Sequence, residues 1–344
     1  MKKILALMLA AFMAVGSMTA CSSAAGKATK DNKKIKIVTT IFPEYDWVMN
    51  VLGDKASDAD VTMLLDKGVD LHSFKPSAED ILKVSTCDLF VYVGGESDKW
   101  VEGALKEATN KNMITINLMN VLGDSVKEEE IVEGMQGEDD HDHDHDEDHD
   151  HDGDHDHEHE HEHDEVEYDE HVWLSLRNAS ALVKSISEAL QKIDAANAET
   201  YKKNAETYTG KLSALDADYK KAVEGASNKT VLFGDRFPFR YMTDDYGLKY
   251  YAAFVGCSAE SEASFETIVF LSKKVDELSL PAVLTIEGKD HRIAKTIVDN
   301  TQKKDQKILS LDSMQSTTME DVKNGASYLK IMESNLSVLK EALK

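Results

Sequence analysis

Between Asn197 and Val223, the residues Tyr201, Ala205, Tyr208, Leu212, Leu215 and Tyr219 recur at intervals of four and three. That spacing places them on one face of an α-helix. Asn197 stands where an N-cap belongs, and Glu199 in the first turn suits the positive end of the helix dipole. Gly225 and Asn228 supply the stop. At ~1.5 Å per residue the helix spans roughly 40 Å, long enough to join two lobes rather than cover one.

The sequence on either side of this helix has the same rhythm. Before it, strand-like apolar runs at 35–39, 61–65, 89–93 and 113–117 alternate with helical patterns at 47–52, 78–84 and 100–108, followed by one at 178–193. After it, runs at 230–233, 250–254, 282–286 and 307–311 alternate with helical patterns at 264–278, 291–300 and 319–343. Alternating β and α signals make a mostly parallel sheet covered by helices. The expected fold is therefore α/β, with two such lobes (34–196 and 227–344) joined by one long rigid helix (197–226).

One segment within the first lobe breaks that rhythm. Residues 138–170 hold ten histidines, twenty Asp and Glu and no Lys or Arg. Removing their charge of −20 from the chain's −25 leaves a mildly acidic −5, with no basic stripe of the kind nucleic acid requires. So polar a loop, 138–168, cannot bury enough apolar surface to offset its ordering entropy, and disorder is expected. Its alternating imidazoles and carboxylates are nonetheless divalent-metal ligands. His141, His143, His145, His149, His151, His155, His157, His159, His161 and His163 thus form a candidate accessory collector. The HExxH match at 157–161 is an accident of composition, because that motif needs a helix with an apolar face.

The first twenty residues read as a secretory leader: Lys2 and Lys3 precede an apolar stretch, 4–15, that is short for a membrane span. Small residues before Cys21 resemble a bacterial lipoprotein cleavage box, with Met18 where Leu is usual. Cys21 then becomes the lipidated N-terminus of an exported protein, on a polar tether, 21–33. The alternative is an ordinary leader with an incidental cysteine. Cys87 and Cys257 fall in different lobes, which favours two separate buried thiols over a disulfide. Cys257 as a soft metal ligand is the lesser alternative.

In open parallel sheets, ligands bind beyond the carboxyl ends of the strands. Metal-competent side chains in those places are His72, Asp235, Glu287 and Asp312, with Glu260 and Glu262 a few residues after their strand. His171 emerges directly from the acidic tract. A lone Asp after a strand is commonly an N-cap: Asp290 suits the helix near His291, as Ser77 suits the one after Pro76. Glu287 could instead pair with Lys289 or Arg292. Two histidines from one lobe facing carboxylates from the other would make a four-ligand site.

The sequences KIKIVTTIFPEYDWVMNVLGD, DLHSFKPSAED, EHVWLS and ILSLDSMQS together resemble the substrate-binding lipoproteins of bacterial ATP-driven zinc and manganese uptake, over nearly the whole mature chain, while GDRFPFRYMTDDYGL departs from their pattern. The resemblance implies two α/β lobes tied by a rigid helix. It places His72 and His171 on the metal and Asp312 at the fourth position. Such proteins also commonly carry a His-rich loop before the second histidine. At the third position, where zinc-type members carry His and manganese-type members Glu, this chain offers Asp235, with Glu260 or Glu262 as substitutes.

Two imidazoles with carboxylates suit Zn²⁺, Mn²⁺ or Fe²⁺, and intrinsic affinity favours zinc over manganese. The expected role is capture of the ion and delivery to the permease and ATPase of a membrane ABC transporter, by a lipid-anchored monomer with no organic cofactor and no catalysis. A manganese or iron binder of the same family, and a surface adhesin or metal buffer, are the alternatives.

Overall fold

A computed structural model describes residues 34–136, 167–258, 262–288 and 290–344. The leader, the tether with Cys21, the tract histidines and Glu260 lie outside the described residues. Among the described residues, no helix is long and apolar enough to cross a membrane.

The first lobe runs β1 (Ile35–Thr39), α1 (Phe42–Leu52), β2 (Ala59–Met63), α2 (Ala78–Thr86), β3 (Leu89–Tyr92), α3 (Trp100–Lys106), β4 (Ile114–Asn117) and α4 (Leu118–Leu122). Its strands pair in parallel in the order β2-β1-β3-β4. Leu89, Phe90 and Val91 are buried in succession, as expected of a strand covered on both faces. Then come α5 (Leu176–Ile193) and α6 (Ala198–Glu224). The second lobe runs β5 (Thr230–Phe237), α7 (Arg240–Tyr246), β6 (Lys249–Val255), α8 (Phe265–Leu278), β7 (Ala282–Thr285), α9 (Arg292–Asp299), β8 (Lys307–Ser310), α10 (Met319–Lys323) and α11 (Tyr328–Ala342). Its sheet, β6-β5-β7-β8, is likewise parallel throughout.

The spanning helix is α6, with 27 residues. All six stripe residues are buried, together with Val223. Asn204 donates to the Val51 carbonyl at 3.0 Å and the Tyr208 hydroxyl to Asp46 at 3.0 Å, both in α1. Eleven residues on, Tyr219 donates to the Met332 carbonyl of α11 at 2.6 Å. One apolar core runs through both lobes and contains the fully buried Trp47, Trp173, Tyr201, Tyr219 and Tyr328. A smaller core lies among β5, β6, β7, α8 and α9. Each buried aromatic removes roughly 150–250 Å² from water, which is about 4–6 kcal/mol at ~25 cal/mol per Å². A hinge motion exposing two of them would cost about as much as a domain's whole stability. The shared core welds the lobes together.

Several local expectations need correction. Asn197 occupies the N-cap position, but its side chain makes no cap and instead donates to Asp194 at 2.6 Å. Asp290 accepts from Arg292 N–H at 3.1 Å while His291 takes the N-cap position of α9; Ser77 does cap α2. The pattern at 319–343 splits into α10 and α11, because Ser327 caps a new helix. Above all, β5 does not stop at Phe233. Its pairing with β6 slips by one residue between Phe233 and Arg236, a β-bulge, and then continues to Phe237. Gly234 makes room there for α9, since a Cβ would lie 2.5 Å from the Ala294 Cα.

The stems of the acidic excursion are also placed. Glu129 N–H donates to the Glu167 carbonyl and Asp169 N–H to the Lys127 carbonyl, both at 2.9 Å. Gln136 N–H then donates at 2.9 Å to Ala253 in β6. The segment leading into the tract therefore rests on the second lobe's edge strand.

Candidate metal centre

His72 lies in a single 3₁₀ turn, Leu71–Ser73, after β2, where Asp70 caps the turn by accepting from His72 N–H at 3.0 Å. His171 opens another such turn, Val172–Leu174, before α5. It is fully buried beside Trp173, with ring centres 5.2 Å apart. The Nε2 atoms of His72 and His171 stand 3.3 Å apart although the residues are 99 positions apart in sequence.

The neighbours of each ring decide which nitrogen carries the proton. Asp169 accepts from His171 N–H at 2.8 Å and faces its Nδ1 at 3.0 Å. A carboxylate only accepts, so Nδ1 holds the proton and Nε2 is left with its lone pair. For His72, Nδ1 meets Ser97 Oγ at 2.9 Å, while that hydroxyl donates its own proton to Glu170. Ser97 must then accept from Nδ1–H, and again Nε2 is bare. Two lone pairs aimed at each other across 3.3 Å repel unless a cation lies between them. A tetrahedral zinc ion with Zn–N near 2.0–2.1 Å puts its two nitrogens about 3.3 Å apart.

Electrostatics separate the two rings. Burial, then the neighbouring His171, pushes His72 down to about 4. Burial also works against charge on His171, but Asp169, Glu170 and Asp70 together outweigh it and hold that imidazole above its ordinary value. A proton and a metal ion are rivals for the same gap. Above it opens a cleft of about 260 Å³ lined by His72, Ser97, Tyr168 and Cys257 together with Glu96, Glu129, Glu167 and Glu170. Four carboxylates around so small a space draw in cations.

The second lobe's expected ligands accept hydrogen bonds from nearby groups. Asp235 sits at the β-bulge, accepting from Arg236 N–H at 2.9 Å and Ile286 N–H at 3.4 Å, and burial raises its pKa. Asp312 accepts from Met314 N–H at 2.8 Å, and burial, then Glu287, raises it to about 6. Glu287 accepts from Ser313 N–H and Oγ, each at 2.7 Å. Arg292, one of its expected partners, pairs with Asp290 at 2.6 Å instead, and the other, Lys289, lies outside the described residues. Glu262 is exposed. Among the described residues, the ligand atoms that gather within 4.8 Å of one another belong to His72, His171 and Cys257. Cys257 and Cys87 are both free thiols, as expected from their separation. The signal that could have raised Cys257 earlier is its place two residues past the carboxyl end of β6.

The next residue in β5, Arg236, reaches across to the first lobe. Its guanidinium donates to Asp70 at 2.9 Å and to the Ser258 carbonyl at 3.3 Å. One side chain thereby ties the His72 loop to the Cys257 loop.

Fold and wiring together define a two-lobed α/β protein with a cleft able to hold a metal cation. The chain belongs to the family described as zinc-uptake complex component A, periplasmic, whose family model matches residues 37–342. It is 30% identical over 319 residues to the zinc-binding protein AdcA of Streptococcus pyogenes serotype M18, covering 89% of this chain but 56% of that protein. The chain thus spans little more than half the length of the AdcA relatives. It is 29% identical to the high-affinity zinc uptake system protein ZnuA of Bacillus subtilis, covering 95% of this chain and 93% of that one. The Zn(II)-bound ZnuA-like domain of Streptococcus pneumoniae AdcA superimposes with a TM-score of 0.66 at 27% identity, covering 90% of this chain and 99% of that domain.

Proposed function

We propose that this protein captures a divalent transition metal, zinc in preference to manganese or iron(II), between its lobes and hands it to the permease and ATPase of a membrane ABC transporter. His72 and His171 are the ligands at the heart of the site. The observation that carries the reading is the pair of Nε2 lone pairs facing each other at 3.3 Å, each set by an occupied Nδ1. The names of its relatives, which record zinc binding and zinc uptake, support zinc as the cargo. Capture and delivery, not catalysis, is the proposed role. Lipid attachment through Cys21 would keep the protein at the outer face of the membrane, beside the permease.

The welded lobes fit a delivery mechanism in which docking disturbs loops rather than opening a hinge. The tract's stems line the cleft, with Glu167 and Tyr168 at its wall, so a His-rich excursion rooted there would concentrate zinc at the entrance. Calorimetric titration with zinc tests the reading. The protein is expected to show one tight site, which His72→Ala abolishes. A tight site of unchanged affinity in His72→Ala would overturn it.

A further inference from the structure

We propose that Cys257 is the third protein ligand of the captured ion, making this a two-histidine, one-thiolate site selective for soft cations. The inference rests on the zinc-capture reading above and specifies its chemistry. Both histidines come from the first lobe, so an ion held by them alone would not sense the second. Of the described second-lobe residues, Cys257 is the one whose ligand atom joins theirs within 4.8 Å.

Local geometry brings the thiol there and keeps the alternatives away. The bulge in β5 leaves Asp235 facing backbone N–H groups and turns Arg236 onto Asp70 and Ser258. An arginine cannot ligate, and its grip on the residue after Cys257 holds that loop against the His72 turn. The preceding residue passes so close to the other histidine that only glycine fits: a Cβ on Gly256 would lie 3.0 Å from His171 Cε1 and 2.9 Å from the Phe237 carbonyl. Glu129 fixes the loop from the third side by accepting from Cys257 N–H at 3.2 Å. With Zn–S near 2.3 Å, the sulfur of a tetrahedral site stands about 3.6 Å from each nitrogen, a small adjustment of one half-buried side chain. As the sulfur–metal bond forms, the thiol proton leaves to solvent.

A thiolate changes what the site selects. Soft sulfur favours zinc, and hard manganese prefers oxygen, so this site should reject manganese more strongly than an all-nitrogen-and-oxygen set would. It also makes Cys257 the link by which the second lobe registers the ion.

Cobalt(II) substitution in reducing buffer tests this on the full chain, because the His-rich tract holds no cysteine and cannot mimic the signal. The wild type and Cys87→Ser are expected to show a near-ultraviolet thiolate-to-cobalt charge-transfer band that saturates at one ion, and Cys257→Ser to lack it. Zinc affinity in Cys257→Ser should fall by more than the ~10–100-fold that losing an outer-shell partner costs. The preference for zinc over manganese should shrink with it. Tight zinc binding without that band in the wild type, or a band that survives Cys257→Ser, would overturn the thiolate assignment and leave zinc capture standing. Absence of any tight zinc site in the wild type would overturn both.

Discussion

Asp169 shows how much of the proposed site lies outside its ligands. Its carboxylate takes both the backbone N–H and the Nδ1 proton of His171, so it sets the ring's tautomer and its aim together. Asp169→Ala leaves a buried donor unpaired and frees the ring. Zinc affinity is expected to fall roughly 10–100-fold with the tight site still present, as read by competition with a chromophoric chelator. Asp169→Asn keeps an acceptor oxygen and should lose much less. Equal losses would mean that the negative charge, rather than the hydrogen bond, is what matters. Little of this was legible in the chain. DEHVWLS displays a carboxylate two residues before a histidine, but such a pair need make no contact, and only the local turn in which Asp169 accepts from His171 N–H folds this one back.

At the scale of elements, α1 and α6 share a buried carboxyl. Asp46 in α1 accepts from the Tyr208 hydroxyl of α6 and from Asn50, both at 3.0 Å. Burial nevertheless dominates and lifts its pKa from 3.8 to about 6. The folded protein thus holds this proton up to about pH 6, whereas the unfolded chain releases it near 3.8. Between those values the folded state binds more protons, so stability falls as pH rises through the window. That rise, from 3.8 to about 6, corresponds to roughly 3 kcal/mol. Urea unfolding at about pH 4 and about pH 7 should show the wild type losing roughly that much relative to Asp46→Asn; parallel behaviour of the two proteins would refute it. The helix α6 itself was readable because a four-three repeat over this length has one geometric solution. The partner of Tyr208 was not, since nothing in a local pattern says which helix will cross it.

For the whole molecule, the decisive comparison is between the tract and the cleft. The tract holds ten of the thirteen histidines, yet the two that face each other at 3.3 Å lie outside its alternating run. Fixed geometry, not ligand number, gives affinity, because ligands held in place lose little entropy on binding. Excising residues 139–164 is therefore expected to remove the extra zinc stoichiometry while leaving the one tight site, by calorimetry of the truncated protein beside the full chain. Loss of the tight site on excision would reverse the two roles.

Sequence alone determined the features that local period and composition dictate: a long one-faced helix, a βα rhythm on each side of it, and a polar, histidine-rich tract within the first lobe. Tertiary structure decided which side chains share a space. Asp235 and Asp312 satisfy the same rule of position after a strand as His72 does, but a one-residue bulge and a loop turn bring at least one oxygen of each to a nearby backbone N–H group. Cys257, the weaker candidate from sequence, ends near both imidazoles. A distance between residues 72, 171 and 257 is fixed by how two lobes pack across α6, and no short stretch of the chain contains that information.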